Sequence, residues 1–136
     1  MTTTYAEILG RHDVEIPAHL AAQAEVPILV GVPQRQGDVY VKPYTGARTE
    51  GVQVQAEGVA VVRGENGGNT HLLVAEGAVT WAPEGGTGLR LGIFTVAKNA
   101  VAYLLHPEHG ASAFGAGSYE CRRKREQADI VRIVQD

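Results

Sequence analysis

The chain has 136 residues, of which 44% are hydrophobic and 20% charged, and its formal net charge is −3. These values are typical of one globular domain with a real hydrophobic core. The acidic balance excludes a general attraction to nucleic acid, the single cysteine excludes an intramolecular disulfide, and no apolar run is long enough to span a bilayer. The N-terminus lacks a basic stretch followed by an apolar one, which predicts no signal peptide and a cytoplasmic or particle-associated protein.

Residues 1–25 differ in pattern from the rest of the chain. Thr4 and Glu7 have the spacing of a capping box, and the alanine-rich stretch over 18–25 has high helix propensity. Leu20 is the one sizeable apolar side chain in that stretch, so such a helix is weak alone and needs a partner surface. The sequence therefore predicts a short helical N-terminal arm over 1–25, docked on its own domain or on a neighbour.

From Val26 onward the pattern is that of short strands separated by turns. Alternation of apolar and polar residues predicts half-buried strands over 38–42, 51–55 and 89–96. Wholly apolar runs over 59–62 and 100–105 predict strands that are buried on both faces. About nine or ten strands, with turn signals every 8–12 residues, predict an all-β fold over 26–136, either a sandwich or a closed barrel.

A strand predicted over 118–126 carries a cluster of basic residues. They are Arg122, Arg123, Lys124 and Arg125. Alternate residues of a strand face opposite sides, and neither side is apolar beyond Cys121. The strand is therefore predicted to lie at a sheet edge or to project beyond the sheet. Cys121 itself is interpreted as a packing thiol. Tyr119 is the one aromatic residue nearby, which favours a solvated edge or a protein–protein contact over nucleic-acid recognition.

Three of the five histidines lie where they could converge on a metal. Two belong to a His-Pro-Glu-His segment that follows the apolar run over 100–105, and the third follows a turn over 64–69. Imidazole suits zinc, copper, iron or nickel, and a carboxylate could complete the site or act as general base. The candidate ligands are His71, His106 and His109, with Glu65 or Glu108. The alternative is a plain turn with exposed imidazoles.

The histidines resemble, loosely, those of cupin-type β-barrels. A cupin hairpin carries His-x-His on one strand with a glutamate a few residues later, and another strand supplies further ligands. In this chain His71 is the one histidine of that pair, and the nearest following glutamate, Glu76, sits at a turn. The resemblance implies a metal-binding barrel.

Residues 59–136 also resemble a family of small, uncharacterised bacterial and phage-borne proteins. The family pattern is Gly-Glu-x-x-Gly-His-x-His, then His-x-Glu-His, then Gly-x-Tyr with a basic strand ending in Arg-Glu, then Arg-x-Val-x-Asp. The matching residues are Gly64, Glu65, Gly68, His71, His106, Glu108, His109, Gly117, Tyr119, Arg125, Glu126, Arg132, Val134 and Asp136. Asn69 stands where the family has its first histidine, and asparagine is a poor ligand for metals that imidazole binds. The resemblance implies no known activity.

Two functions follow as hypotheses. The first is a non-enzymatic structural or binding module without a cofactor, working in a homo-oligomer or larger assembly such as a phage or phage-derived particle. Its contacts would be the basic strand and the apolar arm residues Tyr5, Ile8, Leu9 and Leu20. The second is a cupin-like protein that binds a divalent transition metal through His71, His106 and His109.

Overall fold

The computed structural model describes residues 2–4, 7–8, 25–47, 49–62, 70–84 and 89–123. These ranges consist mainly of short β-strands, as the alternating patterns predict. In chain order the strands are β1 (Thr2–Thr4), β2 (Glu25–Leu29), β3 (Gln34–Gln36), β4 (Val39–Pro43), β5 (Val52–Gln53), β6 (Val59–Val62), β7 (His71–Glu76), β8 (Val79–Pro83), β9 (Arg90–Val96), β10 (Val101–His106), β11 (Gly110–Phe114) and β12 (Gly117–Arg123).

These strands form two six-stranded sheets that pack face to face as a sandwich. Sheet 1 has the order β1-β2-β11-β10-β7-β6 and sheet 2 the order β3-β4-β12-β9-β8-β5. Neighbouring strands are antiparallel except β2 and β11, which run parallel with Ala113 opposite Ile28. The prediction of an all-β fold is confirmed. Of the two architectures that the sequence left open, a sandwich and a closed barrel, the structure has the sandwich.

The main core lies between the two sheets and is filled by alternate residues of facing strands. Its buried members are Val39, Val41, Val54, Val61, Leu73, Val79, Trp81, Phe94, Val96, Ala100, Ala102, Leu104, Phe114, Tyr119 and Cys121. The rings of Phe94, Phe114 and Tyr119 pack at its centre with centroids 5.1–5.2 Å apart. Each such ring pair adds about 0.5–1.5 kcal/mol beyond area burial. The alternation over 38–42 correctly predicts that β4 turns its two central valines inward.

Sheet 1 is apolar on its outer face as well. Tyr103 and Leu105 of β10 point outward, where they form a second buried cluster with Val74 and Ile8. Ile8 is fully buried there. The prediction that the run over 100–105 is buried on both faces is therefore confirmed. The same prediction for 59–62 is wrong, because three of the four residues of β6 are only partly buried at the end of the described part of sheet 1.

The N-terminal segment starts as a strand rather than a helix. Thr2–Thr4 pairs with β2, which agrees with the strand preference of β-branched threonine. One of the two bonds of the predicted capping box is present, because the Glu7 backbone N–H donates to Thr4 Oγ1 over 3.2 Å. The predicted helix over 18–25 and the contact residues Tyr5, Leu9 and Leu20 lie outside the described residues, apart from Glu25 in β2. Within the described ranges no helix has the length and apolar character needed to traverse a lipid bilayer.

The basic strand is central rather than at an edge, so that prediction is wrong. β12 lies between β4 and β9 in sheet 2. Tyr119 and Cys121 face the core, while Glu120 and Arg122 occupy the outer face, where the two charges pair with each other and the Glu120 carboxylate is largely buried. A sandwich requires one apolar face per strand, and a tyrosine with a cysteine supplies it. Lys124 and Arg125 lie beyond the described residues.

The Tyr119 hydroxyl joins two segments that cross between the sheets. It donates to the Gly115 carbonyl over 2.9 Å and accepts from the Gly31 N–H over 3.0 Å. The Gly115 N–H in turn donates to the Leu29 carbonyl over 2.7 Å. One side chain thus fixes the segment that leaves β2 to the segment that leaves β11.

Candidate functional site

A pocket of about 280 Å³ opens between the two sheets at one end of the sandwich. It contains the three predicted histidines, and both sheets contribute to it. His71 begins β7, His106 ends β10, and His109 lies in the turn to β11. The lining residues are Asp38, Val39, Val62, His71, His106, Glu108, His109 and Arg123.

The three imidazoles form a row in which neighbouring rings are tilted by 35–42°. The ring centroids of His71 and His106 are 4.4 Å apart, and those of His106 and His109 are 4.5 Å apart. The structure therefore brings together the histidines that the sequence singled out, although they come from two separate segments. Glu108 lines the same pocket, whereas Glu65 lies outside the described residues.

His71 is held in one tautomer by a buried glutamine. Its Nδ1 lies 2.9 Å from Gln36 Oε1, and the Gln36 amide nitrogen donates to the carbonyls of Leu104 (2.7 Å) and Gly110 (3.3 Å). Because the amide nitrogen is the donor to both carbonyls, the amide oxygen accepts and His71 Nδ1 carries the proton. The neutral ring then keeps its lone pair on Nε2.

His106 has the opposite tautomer. Its Nδ1 accepts from the backbone N–H groups of Glu108 (3.0 Å) and His109 (3.3 Å), so its proton is on Nε2 when the ring is neutral. The ring thereby ties down the turn between β10 and β11. A metal could bind this ring only after it lost the Nε2 proton or released the turn.

Burial favours the neutral form of the two inner histidines. Desolvation, followed by the neighbouring His106 and His109 rings, lowers the pKa of His71 to about 4. Desolvation and the nearby His109 ring also lower the pKa of His106. Asp38 acts in the opposite direction on both rings, without cancelling the effect of burial.

His109 depends on a glycine in the opposite sheet. Its ring lies against Gly37, where a Cβ atom would come within 2.7 Å of the imidazole Cδ2 and Nε2 atoms. Gly37 has a φ of +57° and forms with Asp38 the two-residue turn between β3 and β4. Glycine at the first turn position is typical of a type II′ hairpin. This turn brings the Asp38 carboxylate to the pocket.

The sequence did not single out Gln36, Asp38 or Arg123 as pocket residues. The one sequence signal for Gln36 is its alternation with Gln34 before a Gly-Asp turn, which places both side chains on one face of a strand. In the structure both amides point inward and donate to carbonyls of sheet 1. Among the described residues, no three side chains of histidine, cysteine, aspartate or glutamate are arranged to hold a metal ion. In the described conformation the pocket is a hydrogen-bonded imidazole row flanked by two carboxylates and a guanidinium.

The outer face of sheet 2 carries a second cluster of charged residues. Glu120 is largely buried there, and its carboxylate lies 3.4 Å from Lys42 Nζ, 3.4 Å from Arg122 Nη1 and 3.6 Å from Arg90 Nη1. Arg90 also pairs with Glu84. Three cations against the two carboxylates of Glu84 and Glu120 leave this part of the face with a net positive charge.

Tyrosine rings complete this surface. The Arg35 guanidinium lies 5.9 Å from the centroid of the Tyr40 ring, and the Arg90 guanidinium 5.7 Å from that of Tyr44. Both distances are within the range of cation–π contacts. We call this surface the arginine–tyrosine face. It consists of Arg35, Tyr40, Lys42, Arg90 and Arg122.

Cys121 is a packing residue. The thiol is fully buried, and desolvation together with the neighbouring Glu120 raises its pKa. A thiol with a raised pKa is a poor nucleophile and a poor metal ligand. Arg123 projects from the same side of β12 into the pocket, as the predicted alternation requires.

Comparisons with known proteins give a family without an assigned activity. No curated protein and no solved structure matches this chain. One family model, described as Domain of unknown function (DUF8820), matches residues 35–124. That segment runs from β3 past the end of β12, and it contains the histidine pocket and the arginine–tyrosine face. Because more than half of the chain is matched, the protein belongs to the family described as Domain of unknown function (DUF8820).

Proposed function

We propose that this protein is a non-enzymatic structural or binding module that works in a homo-oligomer or a larger protein assembly. The resemblance to phage-borne proteins extends this proposal to a phage or phage-derived particle. The arginine–tyrosine face is the contact surface that we infer. Its composition is the observation that carries the proposal.

Arginine and tyrosine are the residues most enriched at the centres of protein interfaces, because each combines a large contact area with directional polar groups. Here they lie side by side on the open face of a sheet, in a chain whose net charge is −3. A positive face on an acidic protein is suited to an acidic surface, which another copy of the chain or a different partner can provide.

The proposal is tested by the mass of the purified full chain in solution, measured by light scattering at micromolar concentration. We expect a defined oligomer, and a lower mass for the variants Arg35→Glu and Tyr40→Ala. The matched control is Lys98→Glu, the same charge reversal at an exposed turn residue outside the face. A single-chain mass for the unmodified protein, with no partner retained, contradicts the homo-oligomer.

A second candidate is a protein that binds a divalent transition metal in the histidine pocket. The tautomer of His71 favours it, because a ligating histidine usually donates its other N–H to an oxygen, as His71 does to Gln36. His71 Nε2, His109 and a carboxylate of Asp38 or Glu108 would be the first ligands. His106 would join after releasing the turn.

Elemental analysis of the same purified sample tests this second candidate. About one zinc, copper, nickel or iron per chain is expected if the pocket holds a metal, and His71→Gln should remove it. Since Gln36 fixes the tautomer, Gln36→Leu should weaken metal binding about 10- to 100-fold, while Gln53→Leu on a surface strand should not. A metal-free wild-type protein that also takes up no added Zn²⁺ would eliminate the candidate.

A further inference from the structure

A second, larger concavity lies on the outer face of sheet 2, away from the histidine pocket. It is a groove of about 970 Å³ beneath the loop that follows β4. This volume is within the range of sites that enclose small organic ligands, about 300–1,000 Å³. The whole groove falls within the segment matched by the family model.

The groove exists because its floor is made of small side chains. Three neighbouring strands, β8, β9 and β12, provide that floor together with the residue before β8 and the residue after β9. The five floor residues are Ala78, Thr80, Thr95, Ala97 and Ser118. Elsewhere on the same face the strands carry arginine, lysine and tyrosine, so the floor is a depression in an otherwise filled surface.

Three hydroxyl groups cross the floor in register. Thr80 lies directly opposite Thr95, and Thr95 directly opposite Ser118, so all three side chains share one face. The Thr95 and Ser118 hydroxyls are 3.0 Å apart and share one hydrogen bond. Each hydroxyl can donate one hydrogen bond and accept two, so the row retains capacity for a ligand.

The described residues of the loop after β4, 44–47 and 49–51, contribute the wall. The Tyr44 backbone N–H donates to the Ser118 carbonyl over 2.9 Å, which anchors the start of the loop to β12. At the other end, a Cβ atom on Gly51 would come within 2.8 Å of the Trp81 backbone, so glycine lets the loop lie against β8. Tyr44, Thr49 and Glu50 line this wall.

We propose that the groove binds a neutral polyhydroxylated ligand, namely a sugar residue or short oligosaccharide. Hydroxyls that both donate and accept match the hydroxyls of a sugar, and one carboxylate adds a strong acceptor. The methyl groups of alanine and threonine and the Tyr44 ring provide apolar contacts for the C–H groups of the sugar ring. Glu50 is the one charged side chain among the described lining residues, which disfavours an anionic ligand.

The test is a ¹⁵N–¹H NMR titration of the full chain with glucose, galactose, mannose, N-acetylglucosamine, maltose and lactose. Glucuronate and inorganic phosphate serve as anionic comparators. We expect saturable shifts for at least one neutral sugar, in the millimolar range, centred on the amides of Thr80, Thr95 and Ser118. A signal from the arginine–tyrosine face alone would place the ligand elsewhere.

The double variant Thr95→Val with Ser118→Ala removes two partners of one hydrogen bond together, so neither hydroxyl is left unpaired. It should keep the fold and weaken sugar binding at least about fivefold. Thr45→Val, at an exposed position outside the lining residues, is the matched control and should bind normally. Three results would overturn the proposal: no saturable shift with any neutral sugar, equal affinity in the double variant, or a response to the anions alone.

Discussion

Replacing Tyr119 by phenylalanine isolates the contribution of one hydroxyl to the junction between the sheets. The ring, which packs against Phe94 and Phe114, is kept. The hydroxyl, which bridges Gly31 and Gly115, is lost. The variant therefore changes hydrogen bonding without opening a cavity in the core.

The expected loss follows from the burial of the two bonds. The bond to the Gly115 carbonyl is buried, so removing it leaves an acceptor that water cannot reach. The bond from Gly31 is partly exposed, so water can replace it in part. With about 1–2 kcal/mol for the first and about 0.5–1 kcal/mol for the second, we expect Tyr119→Phe to lower the free energy of unfolding by about 2 kcal/mol.

Urea unfolding followed by tryptophan fluorescence and circular dichroism measures this difference. The midpoint should fall with an unchanged m-value, and the melting temperature should fall by about 5–10 °C. Tyr40→Phe is the control, because that ring is half-buried on the outer face and its change should stay within about 0.5 kcal/mol. A Tyr119→Phe protein as stable as the wild type would refute the bridging role.

Three further predictions concern other parts of the molecule. The pKa of His71 is about 4 in the folded chain, below its ordinary 6.5, so the unfolded state binds the proton first. The free energy of unfolding is therefore unaffected by this histidine above pH 6.5. It decreases as the pH falls from 6.5 towards 4, by up to about 1.4 kcal/mol per pH unit. His71→Gln should flatten that slope in urea titrations with chelator. Cys121 should react with a disulfide reagent only after unfolding, since it is fully buried with a raised pKa; rapid labelling of the native protein would contradict this. Gly92→Ala should lose about 1–3 kcal/mol in thermal unfolding, because its Cβ would lie 2.5 Å from the Trp81 ring; an unchanged melting temperature would show that the ring moves aside.

The sequence predicted strands correctly where the pattern of apolar and polar residues agrees with the burial seen in the structure. The valines of β4 alternate inward, and the run that becomes β10 is buried on both faces. β11 was missed because Gly-Ala-Ser-Ala-Phe contains no β-branched residue. Its strand conformation depends on pairing with β10 and β2, which is tertiary information.

The position of β12 shows how composition misleads. Its charges argued for an edge, yet the outer face of sheet 2 accommodates them in a central strand. Arg122 is partly exposed there, and the largely buried Glu120 carboxylate is surrounded by cationic side chains. The apolar requirement is met on the other face by Tyr119 and Cys121. Edge or centre is decided by pairing with β4 and β9, which lie far away in sequence.

The sequence predicted which histidines lie together in the pocket, but it did not predict their tautomers. Residue type and spacing pointed to His71, His106 and His109. The two tautomers depend on Gln36 and on the backbone of the turn after β10, and the spacing of the histidines specifies neither contact. The proton positions on the two rings are therefore set by tertiary packing.

The bridge made by Tyr119 also bears on how the chain folds. Tyr119 and Gly31 are 88 residues apart, and the parallel pairing of β2 with β11 spans a similar distance. Domains dominated by such non-local pairings close late and fold in milliseconds to seconds. Until β10 and β11 have left the ribosome, β2 has only β1 of its two partner strands, and the apolar segments of sheet 1 remain exposed to other chains. Nascent or truncated chains that end before β11 should therefore aggregate, whereas the complete chain can bury both faces of the sheet.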